Sequence, residues 1–103
     1  MKNIFQNLPQ QLDAEVFEIL VRHETVKIER IVSKGHTSPQ SGWYDQEQNE
    51  WVIVLQGEAI ILFEHGEPMR LTAGSYLNIP SHQKHRVDWT DPTQATIWLA
   101  VHY

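Results

Sequence analysis

"EWVIVLQG", residues 50–57, is the stretch whose reading decides the fold. With a period of two, Glu50, Val52 and Val54 fall on one side and Trp51, Ile53 and Leu55 on the other. One side is wholly apolar, and the β-branched content favours a pleated strand that stops at Gly57. The other side sets a carboxylate in line with two valines. Burying an unpaired carboxylate is expensive, so Glu50 calls for a cation, a histidine or a metal beside it.

Working outward, "VKIERIVS" (26–33), "EAIILFE" (58–64), "SYLNIP" (75–80), "HRVDWT" (85–90) and "ATIWLAVHY" (95–103) are short runs of the same kind. Turn formers separate them, at Gly35, Gly42, Gly57, "EHGEP" around Gly66, Gly74 and "TDPT" around Pro92. Short strands so regularly spaced predict an antiparallel all-β sandwich or barrel rather than parallel strands joined by helices. In "AEVFEILVRHETVKIERI", Val16, Ile19 and Leu20 have helical spacing, while alternate residues fit a strand with "HET" as its turn. The hairpin with 26–33 is the reading preferred. "KGHTSPQSGWYDQEQN" (34–49) lacks apolar periodicity and reads as a loop of the length that carries function.

The chain of 103 residues suits one domain, 1–103. Its net charge is −5 and its eight Lys and Arg are scattered, so no footprint for nucleic acid appears. No cysteine is present, which removes disulfide and thiol chemistry. The longest apolar runs, "WVIVL" and "AIILF", are five residues, far short of the roughly 20 of a spanning helix, so no membrane is expected. "MKNIFQNLPQQL" has no apolar h-region, and a cytoplasmic location is the expectation.

In "HRVDWT", His85, Val87 and Trp89 share one parity and the polar Arg86, Asp88 and Thr90 the other, which puts His85 and Trp89 on the buried face. His82 lies in the turn "SHQK" after Pro80 and cannot be aimed from spacing alone. His36 reads as solvated on the loop and His102 as a residue near the chain end; neither has spacing that supports a role.

These residues carry a resemblance to the cupins, small antiparallel double-stranded β-helix or jelly-roll barrels. The family's first motif ends in Glu, six residues, then Gly, as do Glu50 and Gly57. Its second reads Gly, five residues, Pro, one residue, Gly, two residues, His, three residues, Asn; Gly74, Pro80 and His85 fit, while His82 and Trp89 replace its inner Gly and closing Asn. The likeness runs from about residue 26 to 103 and is nearest to small single-domain bacterial cupins. It implies a fold more than an activity.

The resemblance also implies a divalent-metal site. Its ligand roles pass directly to Glu50 and His85. The first motif's two histidines would fall at Trp43 and Asp45, or at Tyr44 and Gln46, and neither pair contains one. Asp45 is a substitute oxygen ligand and His82 a candidate imidazole, so the expected metal set is Glu50, His85, Asp45 and His82, for Zn, Mn, Ni or Fe. The plainer readings are a core histidine satisfied by Glu50, a turn-capping Asp45 and a surface His82.

Trp43, Tyr44 and Trp89 are candidates for an aromatic wall around a small organic ligand. Two functions follow: a metal-dependent enzyme acting on a small organic substrate, or a metal-free ligand-binding or regulatory barrel without catalysis. The apolar faces Trp51–Ile53–Leu55 and Ile97–Leu99–Val101 exceed what one barrel interior uses, which predicts cover by the N-terminal segment or by a second copy in a homodimer.

Overall fold

The alternation at residues 50–57 becomes strand β3 (Glu50–Gln56), in which Val52 and Val54 are buried and the intervening residues only partly so. The structure, a computed structural model, describes residues 1–39 and 41–103; Gln40, in the 34–49 loop, lies outside the described residues. The other strands are β1 (Val16–Arg22), β2 (Lys27–Ser33), β4 (Ala59–Phe63), β5 (Met69–Leu71), β6 (Tyr76–Ile79), β7 (His85–Thr90) and β8 (Thr96–His102). All pair antiparallel, in a five-stranded sheet of order β1-β2-β8-β3-β6 and a three-stranded sheet of order β5-β4-β7. This is the antiparallel all-β architecture that the short-strand pattern called for, in the double-stranded β-helix form that the cupin resemblance implied.

Residues 16–33 form the hairpin, closed by His23 N–H to Val26 O at 2.8 Å. Its pairing needs the two-residue period, which outcompetes the helical spacing because β2 also pairs with β8 along its whole length. Strand β5 was not foreseen: three residues are too few to display a period.

Ile31, Val52, Val54, Ile61, Ile79 and Trp98 lie between the sheets in one buried cluster. Each wholly buried aliphatic side chain contributes on the order of 2 kcal/mol. Gly57, the closing glycine of the first motif, has φ 91°, and a Cβ there would stand 2.7 Å from Thr96 Cα. Only glycine suits that junction of positive φ and close strand approach.

Three findings concern the outer surface. The buried Arg30 on β2 donates to the carbonyls of Ile4 (3.1 Å) and Gln6 (2.8 Å) and pairs with Glu18 at 2.6 Å, tying the N-terminal segment over the outer side of the hairpin. Trp51 packs against Tyr76 with ring centroids 5.7 Å apart. Edge strand β1, in contrast, leaves Phe17 (54 %), Ile19 (49 %), Leu20 (41 %) and Val21 (51 %) exposed.

The expected inward position of Trp89 is corrected. The β4–β7 ladder pairs Ile60 with Trp89 but Ile61 with Val87, so one extra residue on β7, Asp88, forms a bulge. A bulge reverses parity beyond it. His85 and Val87 stay inside, Thr90 becomes buried opposite Ala59, and Trp89 turns to the other face.

Candidate functional site

The interior ends of β1, β2, β3, β7 and β8 enclose a cavity of ≈ 450 Å³. Its walls are mostly aliphatic and aromatic, with Val52, Ile61, Val87 and Trp98 among them. Its polar groups are Glu15, Lys27, Glu29, Gln46, Glu50, His85 and His102.

Register explains who arrives there. Glu50 pairs with His102 across β3 and β8, and Glu29 pairs with Ala100 across β2 and β8, so both carboxylates share the inward face with His102. Tyr44 forms an antiparallel bridge with His85, donating N–H to His85 O at 2.8 Å. Extended backbone there sends Tyr44 and Gln46 to the cavity and Trp43 and Asp45 away from it.

Two histidine–carboxylate pairs result. His102 Nε2 lies 2.9 Å from Glu29 Oε1, with both side chains buried. That hydrogen bond holds the Glu29 carboxyl below its ordinary range against the opposing effect of burial, with Lys27, 3.9 Å away, assisting. The second pair is wider: His85 Nε2 stands 3.8 Å from Glu50 Oε1, beyond hydrogen-bond reach. His85 Nδ1 lies 2.9 Å from Gln83 O, and Gln46 donates its amide to Glu50 Oε1 at 2.8 Å. A third carboxyl, Glu15, accepts a hydrogen bond from Ser33 Oγ; burial pushes its pKa up, and Glu29 and Glu50 add repulsion.

The four residues proposed as metal ligands therefore divide. Glu50 and His85 meet in the cavity. Asp45 and His82 pair with each other at 2.7 Å on the surface, with side chains 40 % and 64 % exposed, and neither lines the cavity. His82 is held there by its own backbone: φ is 61°, where the family motif has glycine, and its N–H donates to Gln46 O at 2.8 Å. Among the described residues no group of three or more His, Cys, Asp or Glu is assembled as a metal donor set.

Of the proposed aromatic wall, only Tyr44 reaches the cavity. Trp43 lines a separate shallow depression, with the Arg86 guanidinium 5.1 Å from its ring centroid. Trp89 lies across the β7 bulge, as above. His36 is no free loop residue: Lys34 N–H donates to its Nδ1 at 2.9 Å and Nε2 meets Leu12 O at 3.1 Å.

Glu29 and His102 were missed as site residues. The signal was present, since Glu29 shares parity with Ile31, and His102 with Trp98 and Ala100, the same pattern that marks Glu50.

The barrel and its cavity define a class. Residues 29–102 match the Cupin domain family, and the chain belongs to that family. It is 43 % identical, with a TM-score of 0.95, to a solved Ralstonia eutropha JMP134 protein provisionally assigned as a mannose-6-phosphate isomerase; the match covers 99 % of this chain and 95 % of that one. An RmlC-like cupin from Methanocaldococcus jannaschii is 22 % identical with a TM-score of 0.72, over 92 % of this chain and 84 % of that one. A cupin from Desulfitobacterium hafniense DCB-2 is 18 % identical with a TM-score of 0.75, over 92 % and 82 %. A search of curated proteins finds no match. Among the described residues no helix is long and apolar enough to cross a membrane.

Proposed function

We propose that this cupin binds a small organic molecule in the cavity through its own side chains, without a resident divalent ion. The observation that carries this reading is the donor set. At the family's ligand positions the cavity offers one imidazole and one carboxylate, His85 and Glu50, with Tyr44 and Gln46 where two further histidines would stand. Protein sites for a catalytic divalent ion supply about three ligands, and this set falls short. A cavity of ≈ 450 Å³ with apolar walls and a few convergent polar groups matches the form of small-molecule sites.

Elemental analysis after incubation with Zn, Mn, Ni and Fe tests the proposal. Less than stoichiometric metal is expected. Stoichiometric metal that disappears in both His85→Ala and Glu50→Gln would overturn it in favour of the metal-dependent enzyme.

The Ralstonia relative favours a second reading, an isomerase acting on a sugar phosphate. A buried histidine–carboxylate pair is suitable equipment for moving a proton. Against it stands the charge of the walls, where Lys27 faces Glu15, Glu29 and Glu50. Conversion of mannose 6-phosphate above the rate without protein, abolished in His102→Ala, would establish this reading.

A second copy of the chain is the partner proposed. The exposed apolar row on edge strand β1 is a surface that pairing would bury, and Phe17 and Ile19 also line the cavity, so the second copy would narrow its mouth. Light scattering is expected to give twice the chain mass at micromolar concentration; a monomer throughout would refute the pairing.

A further inference from the structure

The cavity holds a histidine nitrogen that has no hydrogen-bond partner among the described residues. His85 is 5 % exposed, and its Nδ1 faces the carbonyl of Gln83 at 2.9 Å. A carbonyl only accepts, so Nδ1 carries a proton and Nε2 is the ring nitrogen left to face the cavity, an acceptor whenever the ring holds that one proton. Among the described residues that Nε2 has no hydrogen-bond partner; its neighbour is Glu50 Oε1 at 3.8 Å. Glu50 is itself an acceptor, supplied among the described residues by Gln46. Nε2 and Oε1 thus stand side by side at the cavity without satisfying one another, and among the described residues no further side chain reaches either.

The surroundings define what fills it. Glu15, Glu29 and Glu50 line the cavity against one lysine, and that lysine lies 3.9 Å from Glu29. A phosphate or carboxylate entering here meets like charge in a partly desolvated space, whereas a cation relieves it. Tyr44, Val52, Val87 and Trp98 offer the remainder of the molecule apolar and aromatic contact.

We infer that the cavity selects a protonated amine on an apolar body, its ammonium donating to both Glu50 Oε1 and His85 Nε2, over phosphorylated or carboxylated molecules. The inference rests on the reading that this cavity binds a small organic molecule. A hydroxyl has a single proton, donates to one of the two atoms and leaves the carboxylate charges uncompensated, so neutral analogues bind more weakly.

The test is calorimetric titration of the whole protein near neutral pH with four probes: tyramine, its neutral analogue tyrosol, the anion 4-hydroxyphenylacetate, and mannose 6-phosphate. Tyramine is expected to bind roughly tenfold or more tightly than tyrosol, about 1.4 kcal/mol, with no measurable binding of the two anions. Glu50→Gln should bring tyramine down to the level of tyrosol. Glu15→Gln, which leaves the bridged pair in place, should weaken tyramine a few-fold and serves if the first variant does not fold. Tyramine affinity unchanged in the folded variants, or either anion binding as tightly as tyramine, overturns the amine assignment while binding in the cavity stands. If none of the four binds, both the assignment and the small-molecule reading fall.

Discussion

The same cavity holds two histidine–carboxylate pairs that differ by less than an ångström in separation and entirely in consequence. His102 and Glu29, at 2.9 Å, satisfy one another. His85 and Glu50, at 3.8 Å, do not, because Gln83 O engages Nδ1 and holds the ring with Nε2 beyond hydrogen-bond reach of the carboxylate. The closed pair ties strands β2 and β8 together at the cavity's edge, and the open pair keeps hydrogen-bonding capacity facing the cavity. Pairing of residue types is therefore no guide to role; the separation and each ring's other partner decide.

Removing one member of the closed pair should cost most. His102→Ala leaves Glu29 buried without its hydrogen-bond partner, and chemical denaturation should record a loss of about 2–4 kcal/mol. Glu50→Gln keeps its shape and its contact with Gln46, so the same measurement should move by less than about 1 kcal/mol while ligand binding falls. A larger loss for Glu50→Gln than for His102→Ala would invert the comparison.

Acid sharpens it. The Glu29 carboxyl is lowered from 4.5 by His102, so the stabilisation it gives is present above that value and disappears as pH falls through the lower folded-state value. Glu15 is raised from 4.5 by burial and carries the opposite sign: its contribution is complete below 4.5 and lost as pH rises through the higher folded-state value. Thermal melts should accordingly show Glu15→Gln gaining on the native protein toward neutral pH and losing that advantage in acid. Glu29→Gln should show its deficit at neutral pH and narrow it in acid. Parallel pH profiles for the two variants would contradict these opposed environments.

The smallest effect is expected outside the cavity. Asp45 and His82 are closer together than His85 and Glu50 yet exposed, and Asp45→Asn should change stability by under about 1 kcal/mol and leave tyramine binding intact. Loss of binding in that variant would mean that the surface pair positions Gln46, whose carbonyl accepts from His82 N–H.

Much of the barrel was legible in short-range pattern. Six of the eight strands were marked by alternation between turn formers, the hairpin strand β1 competed with a helix, and β5 was too short to register. Glu50 and His85 were legible as inward polar residues because each shares parity with valines on an uninterrupted stretch. Trp89 was misplaced because a bulge has no signature in parity, and it reverses every side chain beyond it. Asp45 and Gln46 were indistinguishable by sequence because the loop gives no apolar reference for its faces; the bridge between Tyr44 and His85 supplies one.

By itself, then, the sequence determined which segments extend, where glycine must turn them, and that a carboxylate and a histidine lie inside, since those follow from a two-residue period and local sterics. Only the tertiary structure decided that Glu29 and His102 join them, that Asp45 and His82 leave, and that one pair closes while the other stays open. Those outcomes depend on register between strands far apart in the chain, such as Glu50 opposite His102, and on a ring oriented by Gln83, and neither is encoded in the spacing of neighbours.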